Sequence, residues 1–315
     1  MAYGRAACED GRGREARAVL IGVETGGTKV VCAAGTGPRD VAEVRTLPTT
    51  TPEQTLAGVA AFIEWHERRT GVEAVGIAAF GPVELDPRSP TFGTIGATPK
   101  PGWQGTRLVD AVRSVVEAPV TVETDVTAAA IGEHRWGAGT GLDDLAYVTV
   151  GTGIGVGAIV AGRPLRGSAH PEAGHLSVRL HHDDDFAGVC RLHGICLEGL
   201  ACGPAISARW GRPADDLDDL LPRAVQMEAF YLAQLTTALL YVLSPARIVL
   251  GGGVLALPGL LDAVRTQTAD LLNGALAHPA ASPHSDAIVS PALGARSGVV
   301  GALTLASDLV EGRAR

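Results

Sequence analysis

Residues 21–29 read Ile-Gly-Val-Glu-Thr-Gly-Gly-Thr-Lys, and the fold turns on what this stretch becomes. An apolar run ends in two adjacent glycines, a hydroxyl and a cation, and a second apolar run begins at once. Two structures fit. A Gly-Gly pair between apolar strands is an ordinary tight hairpin. The same backbone can also make a phosphate cradle, because successive peptide N–H groups in a concave turn form an anion-binding nest. The spacing matches neither the P-loop G-x-x-x-x-G-K-[ST] nor the dinucleotide G-x-G-x-x-G. The decision therefore passes to the rest of the chain.

Moving outward, residues 18–24 and 30–34 read as buried strands on either side of the turn. Thr51-Pro52-Glu53-Gln54 supplies an N-cap, a proline at the first helical position and a capping-box glutamine. Leu56, Val59, Ala60 and Ile63 then recur on one helical face. Another apolar run covers 74–79. Residues 81–105 form a long loop rich in Pro and Gly, and loops of that length are usually functional or disordered. A helix over 108–116, a strand over 120–123 and a helix over 126–136 follow.

The pattern then starts again. Residues 145–150 read as a strand, Gly151-Thr152-Gly153-Ile154-Gly155 as a glycine turn, and 156–160 as a second strand. An irregular segment over 169–203 carries most of the histidines. A long apolar helix over 226–243 and a short strand over 247–250 run into Gly251-Gly252-Gly253, and helices near 257–272 and 297–309 complete the pattern. Strands alternating with helices predict α/β layers. The echo between the two glycine turns predicts two related half-domains facing a cleft, each aiming backbone N–H groups and a threonine hydroxyl into it.

Composition sets the outer limits. The 315 residues suit one large domain or two medium ones, and 46% apolar residues is enough for a substantial core. A net charge of −8 argues against a nucleic-acid or anionic-membrane surface, which would need clustered Lys and Arg. No apolar run approaches the roughly 18 residues of a membrane helix. Residues 1–16 lack the apolar centre of a secretory signal and read as a loose, disordered tail. Of five cysteines, Cys8 and Cys32 are isolated while Cys190, Cys196 and Cys202 lie close together. With no export signal, this predicts cytoplasmic thiols with a metal site rather than a disulfide frame.

Four segments, taken in order, carry a family resemblance: I-G-V-E-T-G-G-T-K at 21–29, T-D-V-T-A-A-A-I-G-E at 124–133, H-P-E-A-G-H at 170–175 with C-R-L-H-G-I-C-L-E-G at 190–199, and I-V-L-G-G-G-V at 248–254. Together they resemble the ROK family of sugar kinases, within the actin-like ATPase superfamily, over roughly residues 18–310. The bacterial fructokinase branch is the nearest in pattern. Glu24 stands where other members have Asp, F-G-P-V-E-L-D-P-R-S-P at 80–90 and T-P-K-P-G-W at 98–103 follow that branch, and His193 replaces a cysteine of the general metal segment. The resemblance implies a two-lobed actin-like (ribonuclease H-like) α/β fold with a central cleft. Its small lobe would span 17–127 and regain a C-terminal helix at 297–312, and its large lobe would span 128–296. It further implies ATP, Mg²⁺ and a structural Zn²⁺, a hexose substrate, a cytoplasmic homodimer, and no nucleic-acid or membrane partner.

The site residues follow from matching positions. Gly26, Gly27, Thr28, Gly151, Thr152 and Gly153 would cradle the phosphates. Glu24 would orient Mg²⁺ through water, since Mg²⁺ keeps much of its hydration shell, and Lys29 would add positive charge. Gly251, Gly252 and Gly253 would approach the adenosine, unless they are a bare strand-end turn. Asp125 matches the family's general base, although on local grounds an Asp opening a helix is an ordinary N-cap. Thr127 stands where many members have Asn. Glu172 and His175 match a pair that touches sugar hydroxyls. Glu198 matches a further carboxylate near the sugar, with a supporting or surface role equally open, and Trp103 and Lys100 would line the pocket entrance.

His175, Cys190, His193 and Cys196 supply two imidazoles and two thiolates, a donor set that suits tetrahedral Zn²⁺ with no open water position. Such a site would pin the irregular segment. His181 and His182 compete as ligands but sit in an acidic run that reads as a solvated loop. The expected activity is ATP-dependent phosphorylation of fructose to fructose 6-phosphate, with mannose or glucose as alternative substrates. A repressor of this family would need a helix-turn-helix before the first strand, and about 17 residues are too few for one. A non-catalytic sugar sensor is disfavoured by Asp125 and the paired turns.

Overall fold

The computed structural model describes residues 18–98 and 100–313, so the expected tail at 1–16 lies outside the described residues. Residues 21–29 form the corner of an antiparallel hairpin. β1 (Val19–Thr25) is buried along nearly its whole length and pairs with β2 (Lys29–Gly37), with Val23 opposite Cys32 and Thr25 opposite Val30. β3 (Asp40–Pro48) adds antiparallel to the outside of β2. α1 (Pro52–Thr70) starts at the expected cap, where Thr51 accepts the Gln54 N–H at 3.4 Å, and buries Val59, Phe62 and Ile63. The chain returns as β4 (Val72–Ala79), parallel to β1, and after α2 (Leu108–Arg113) as β5 (Val120–Thr124), parallel to β4. The sheet order is β3-β2-β1-β4-β5.

α3 (Asp125–Trp136) leads to the second sheet. β6 (Leu145–Val150) and β7 (Ile154–Val160) form its hairpin, and the short β8 (Arg163–Pro164) extends it. α4 (Leu197–Ala201), α5 (Gly203–Trp210) and α6 (Leu221–Val242) precede β9 (Arg247–Gly251), which runs parallel to β6. α7 (Leu260–Leu272) then leads to β10 (Ile288–Val289), parallel to β9. The order is β10-β9-β6-β7-β8. Read from the hairpin outward, both sheets are built alike: three antiparallel strands to one side, two parallel returns to the other. The echo between the glycine turns is thus a repeat of topology.

α8 (Ser297–Val310) crosses back and packs on β1 and β4. α3 lies against α8 on one side and against β6 and β7 on the other. The two helices meet backbone to backbone, because a Cβ on Gly301 would overlap the Ala128 carbonyl. One apolar core fills the space under α1, including Ile21, Phe62 and Ile77, and another lies under α6 and α7, including Val148, Leu232 and Leu250. Between the sheets, Ala128, Ile131, Tyr147 and Ala302 share a third. α3 runs unbroken through the expected lobe boundary at 127–128 and serves both halves. Among the described residues no helix is long and apolar enough to cross a membrane.

Candidate active site

The corners of the two hairpins face each other. A Cβ on Gly27 would stand 3.0 Å from Thr152 Oγ1, so a larger residue there would wedge the corners apart. The first corner is held by the Gly26 N–H donating to the Lys29 carbonyl at 2.9 Å and by the Thr49 hydroxyl donating to the Gly26 carbonyl at 2.9 Å. Thr28 and Lys29 are exposed at its tip. In the second, the Gly151 N–H donates to the Gly153 carbonyl at 2.9 Å, and the Gly203 N–H donates to the Gly151 carbonyl at 2.7 Å. Gly251-Gly252-Gly253 packs behind this second corner. Gly252 takes φ 92° against the end of β6, where a side chain would run into Val150.

Asp125 opens α3, but it is not the N-cap. Thr124 fills that role, accepting the Thr127 N–H at 3.2 Å, and the Thr124 hydroxyl donates to Thr127 Oγ1 at 2.8 Å. The capping need is met one residue earlier, and among the described residues the Asp125 carboxylate accepts from the adjacent Val126 N–H, at 2.9 Å. The start of α3 packs on β7, where a Cβ on Gly155 would approach Val126 Cγ1 to 2.7 Å. Asp125 keeps some solvent contact at the cleft floor, yet protein surrounds most of it. That desolvation, reinforced by the negative charges of Glu24 and Glu172, pushes its carboxyl up to about 7.

Glu24 ends β1 beside the first corner. Burial raises its pKa, while the Lys29 charge and the Val299 backbone pull it down. Its Oε2 is buried without a hydrogen-bond partner among the described residues. A buried carboxylate oxygen left over in this way fits a cation's outer sphere.

The segment from 170 joins the cleft from the second half. His170 Nε2 accepts the Val83 N–H at 3.3 Å, and its Nδ1 lies 3.4 Å from Glu172 Oε1. Glu172 is thereby stationed near Gly81 and within electrostatic reach of Asp125. Glu198, at the start of α4, accepts the Ile154 N–H at 3.0 Å and so braces the second glycine corner. Trp103 does not line the entrance. Its indole is fully buried in the core under α1, stacked edge-on with Phe80 at 5.1 Å, and its N–H donates to the Thr50 carbonyl at 3.0 Å. Among the described residues of the loop from 81 to 105, Lys100 reaches the glycine corner, donating to the Gly27 carbonyl.

His175, Cys190, His193 and Cys196 converge, with all four ligand atoms within 4.8 Å of one another. Cys190 Sγ is 3.8 Å from the Nδ1 atoms of both histidines, and Cys196 Sγ is 3.5 Å from His175 Nδ1. Tetrahedral coordination by thiolate and imidazole implies sulfur–nitrogen separations of about 3.5 Å, so the donors fit Zn²⁺. His175 turns Nδ1 to the thiols, which leaves Nε2 as its only atom free to meet a substrate. His181 and His182 stand apart with Asp183, and His181 Nδ1 already accepts the Asp183 N–H at 3.2 Å.

Three supports escaped the sequence reading. Buried Glu133 accepts four hydrogen bonds, from the N–H groups of Ala138, Ala292 and Leu293 and from the Ser297 hydroxyl, at 2.7–3.1 Å. Glu123 pairs with Arg166 across the two halves. His170 anchors Glu172. Each sits in or beside a motif segment, but apart from the Glu133–Ala138 bond and the His170–Glu172 contact its partners lie more than 40 residues away, and local patterns carry no such signal.

Paired glycine hairpins from two repeated α/β halves, with a half-buried carboxylate at a helix start between them, define a two-lobed actin-like ATPase fold. The chain belongs to the ROK family, whose sequence profile matches residues 20–309. It is similar to the fructokinase of Zymomonas mobilis, 41% identical over 288 residues that cover 90% of this chain and 95% of that one. Among solved structures, the ROK hexokinase from Thermus thermophilus is 29% identical with a TM-score of 0.75, covering 93% of this chain and 99% of that one. The ROK family glucokinase from Streptomyces griseus, solved in complex with glucose and AMPPNP, is 27% identical with a TM-score of 0.72, covering 92% of this chain and 99% of that one.

Proposed function

We propose that this protein transfers the γ-phosphoryl group of ATP to the 6-hydroxyl of a hexose, with fructose, named for the Zymomonas relative, as the preferred substrate. The observation that carries this reading is Asp125: a carboxylate freed from capping duty, poised near neutrality, on the floor of a cleft whose far end is two opposed glycine corners. Phosphoryl transfer asks for little covalent chemistry from protein and much positioning and charge. Gly26–Thr28 and Gly151–Gly153 hold the phosphates through backbone N–H groups, and Gly251–Gly253 borders the nucleoside.

Glu172 and the free edge of His175 bond the sugar hydroxyls, and Asp125 accepts the proton of the attacking hydroxyl. Glu198 acts on the phosphate side by fixing the second corner. Mg²⁺, when bound, neutralises charge between the phosphates, and Glu24 would hold it through water. Zn²⁺ at His175, Cys190, His193 and Cys196 would fix the loop that presents Glu172.

The test is turnover with ATP across fructose, mannose, glucose and N-acetylated hexoses, for the parent protein and Asp125→Asn. Fructose is expected to lead, and the variant to lose about 10²- to 10⁴-fold in kcat. Equal turnover by both proteins would remove Asp125 as the base. Turnover of none of these sugars would remove the kinase reading.

A further inference from the structure

Of the 26 lysines and arginines in the chain, all but two are arginine. The two lysines, Lys29 and Lys100, arrive at the same glycine corner. Lys29 is the first residue of β2 and closes the turn. Lys100 comes from the loop after β4, more than 70 residues further on, and its ammonium donates to the Gly27 carbonyl. A sequence that uses arginine for every other cationic position keeps lysine only here.

The surroundings explain why a lysine stands at 100. Its Nζ lies 5.6 Å from the centre of the Phe80 ring and 5.9 Å from that of Trp103, a separation at which an aromatic face attracts a cation. The two rings hold each other edge-on, and Trp103 is tied to Thr50, so the platform under the lysine is rigid. The space beyond is narrow, because Gly27 and Thr152 all but touch. A compact ammonium with rotatable donors fits such a gap, whereas the planar fork of arginine needs room for two parallel bonds. Charge matters as well: Glu24, Asp125 and Glu172 face the same cleft, and Arg166 is already engaged by Glu123. A polyphosphate entering among these carboxylates needs a cation that is free to turn towards it.

We propose that Lys100 is a phosphate-binding residue of the nucleotide site, its ammonium leaving the Gly27 carbonyl to pair with a phosphate oxygen of ATP seated on the Gly26–Thr28 corner. The exchange is favourable because the ammonium, already a charged donor, trades a neutral carbonyl for an acceptor of opposite charge. Partial burial lowers the lysine's pKa from its ordinary value, as expected for a cation waiting for an anionic partner. The assignment rests on the kinase reading of the cleft and adds to it a charge from outside both glycine motifs.

The scarcity of lysine makes the test simple. The full chain is treated with an amine-acetylating reagent, with and without ADP or Mg²⁺–ATP, and modification at Lys29 and Lys100 is read by peptide mass spectrometry. Nucleotide is expected to protect Lys100 several-fold. In parallel, Lys100→Met should weaken ADP binding, measured by calorimetry, and raise KM for ATP by about tenfold or more. It should move KM for the sugar less than twofold and leave the melting temperature unchanged, and Lys100→Arg should recover only part of the loss. Equal acetylation with and without nucleotide, or wild-type ADP affinity in Lys100→Met, would overturn the proposal. Should the parent protein bind ADP but phosphorylate no hexose, the kinase reading fails, and protection of Lys100 still decides the lysine's role.

Discussion

A carboxyl group must lose its own proton before it can accept another. With the Asp125 pKa pushed up to about 7 by desolvation and then by Glu24 and Glu172, kcat/KM should be flat above that pH and fall roughly tenfold per unit below it. Glu172→Gln removes one of the raising charges, so its profile should inflect at lower pH even though sugar contacts are lost and the plateau drops. A profile that keeps the parent's inflection in that variant would mean another group titrates. The sequence displayed Asp125 but could not separate base from N-cap, because both place an Asp at the first turn of a helix. Only the Thr124–Thr127 bonds settle which residue does the capping. Trp103 failed the other way. A tryptophan in a Pro/Gly-rich loop looks like a pocket wall until its partners, Phe80 and Thr50, are seen.

At the scale of elements, the well-read pieces were those whose pattern is local. The N-cap, proline and apolar face of α1 are all within the helix itself, and β6 was bounded correctly from its apolar run. β3 went unseen because its burial is weak and its sequence is charged, and its existence depends on pairing with β2. Glu133 belongs to the same class of hidden feature. Its carboxylate ties the end of α3 to the backbone before α8. Glu133→Ala would leave three N–H donors unpaired, the Ser297 hydroxyl keeping the Gly294 carbonyl, and denaturant unfolding should show a loss of about 3 kcal/mol or more with an unchanged slope.

The irregular segment from 176 to 196 makes a comparable prediction. It has little regular structure of its own, so removing metal with a strong chelator should make it the first site of proteolysis and raise KM for the sugar. Helical content by circular dichroism should stay nearly constant. Resistance to both effects would mean the Cys/His cluster is not what fixes this loop.

For the molecule as a whole, the repeat was legible because each half announces itself with a glycine turn between apolar strands, and the shared strand order follows once the parallel returns are placed. The sequence did not reveal how closely the halves are joined. α3 and α8 touch through backbone at Gly301 and Ala128, and that contact passes through the core between the sheets. Gly301→Val should therefore either prevent soluble expression or lower stability by roughly 3 kcal/mol or more, through overpacking that cannot relax. Wild-type stability in that variant would show that the two helices have room to separate.

α8 also fixes an order of events during synthesis. The face of the first sheet formed by Leu20, Ala33 and Ala74 is covered by Val299, Leu303 and Ala306, which leave the ribosome more than 200 residues after the last of those three. Until then the nascent amino-terminal half carries an uncovered greasy surface of the sort that chaperones hold. The second half, by contrast, can bury its outer core as soon as β10 has emerged, before α8 is made. The half made first is thus finished last, and a chain stalled shortly before residue 297 should persist as a chaperone-bound intermediate rather than as a folded lobe.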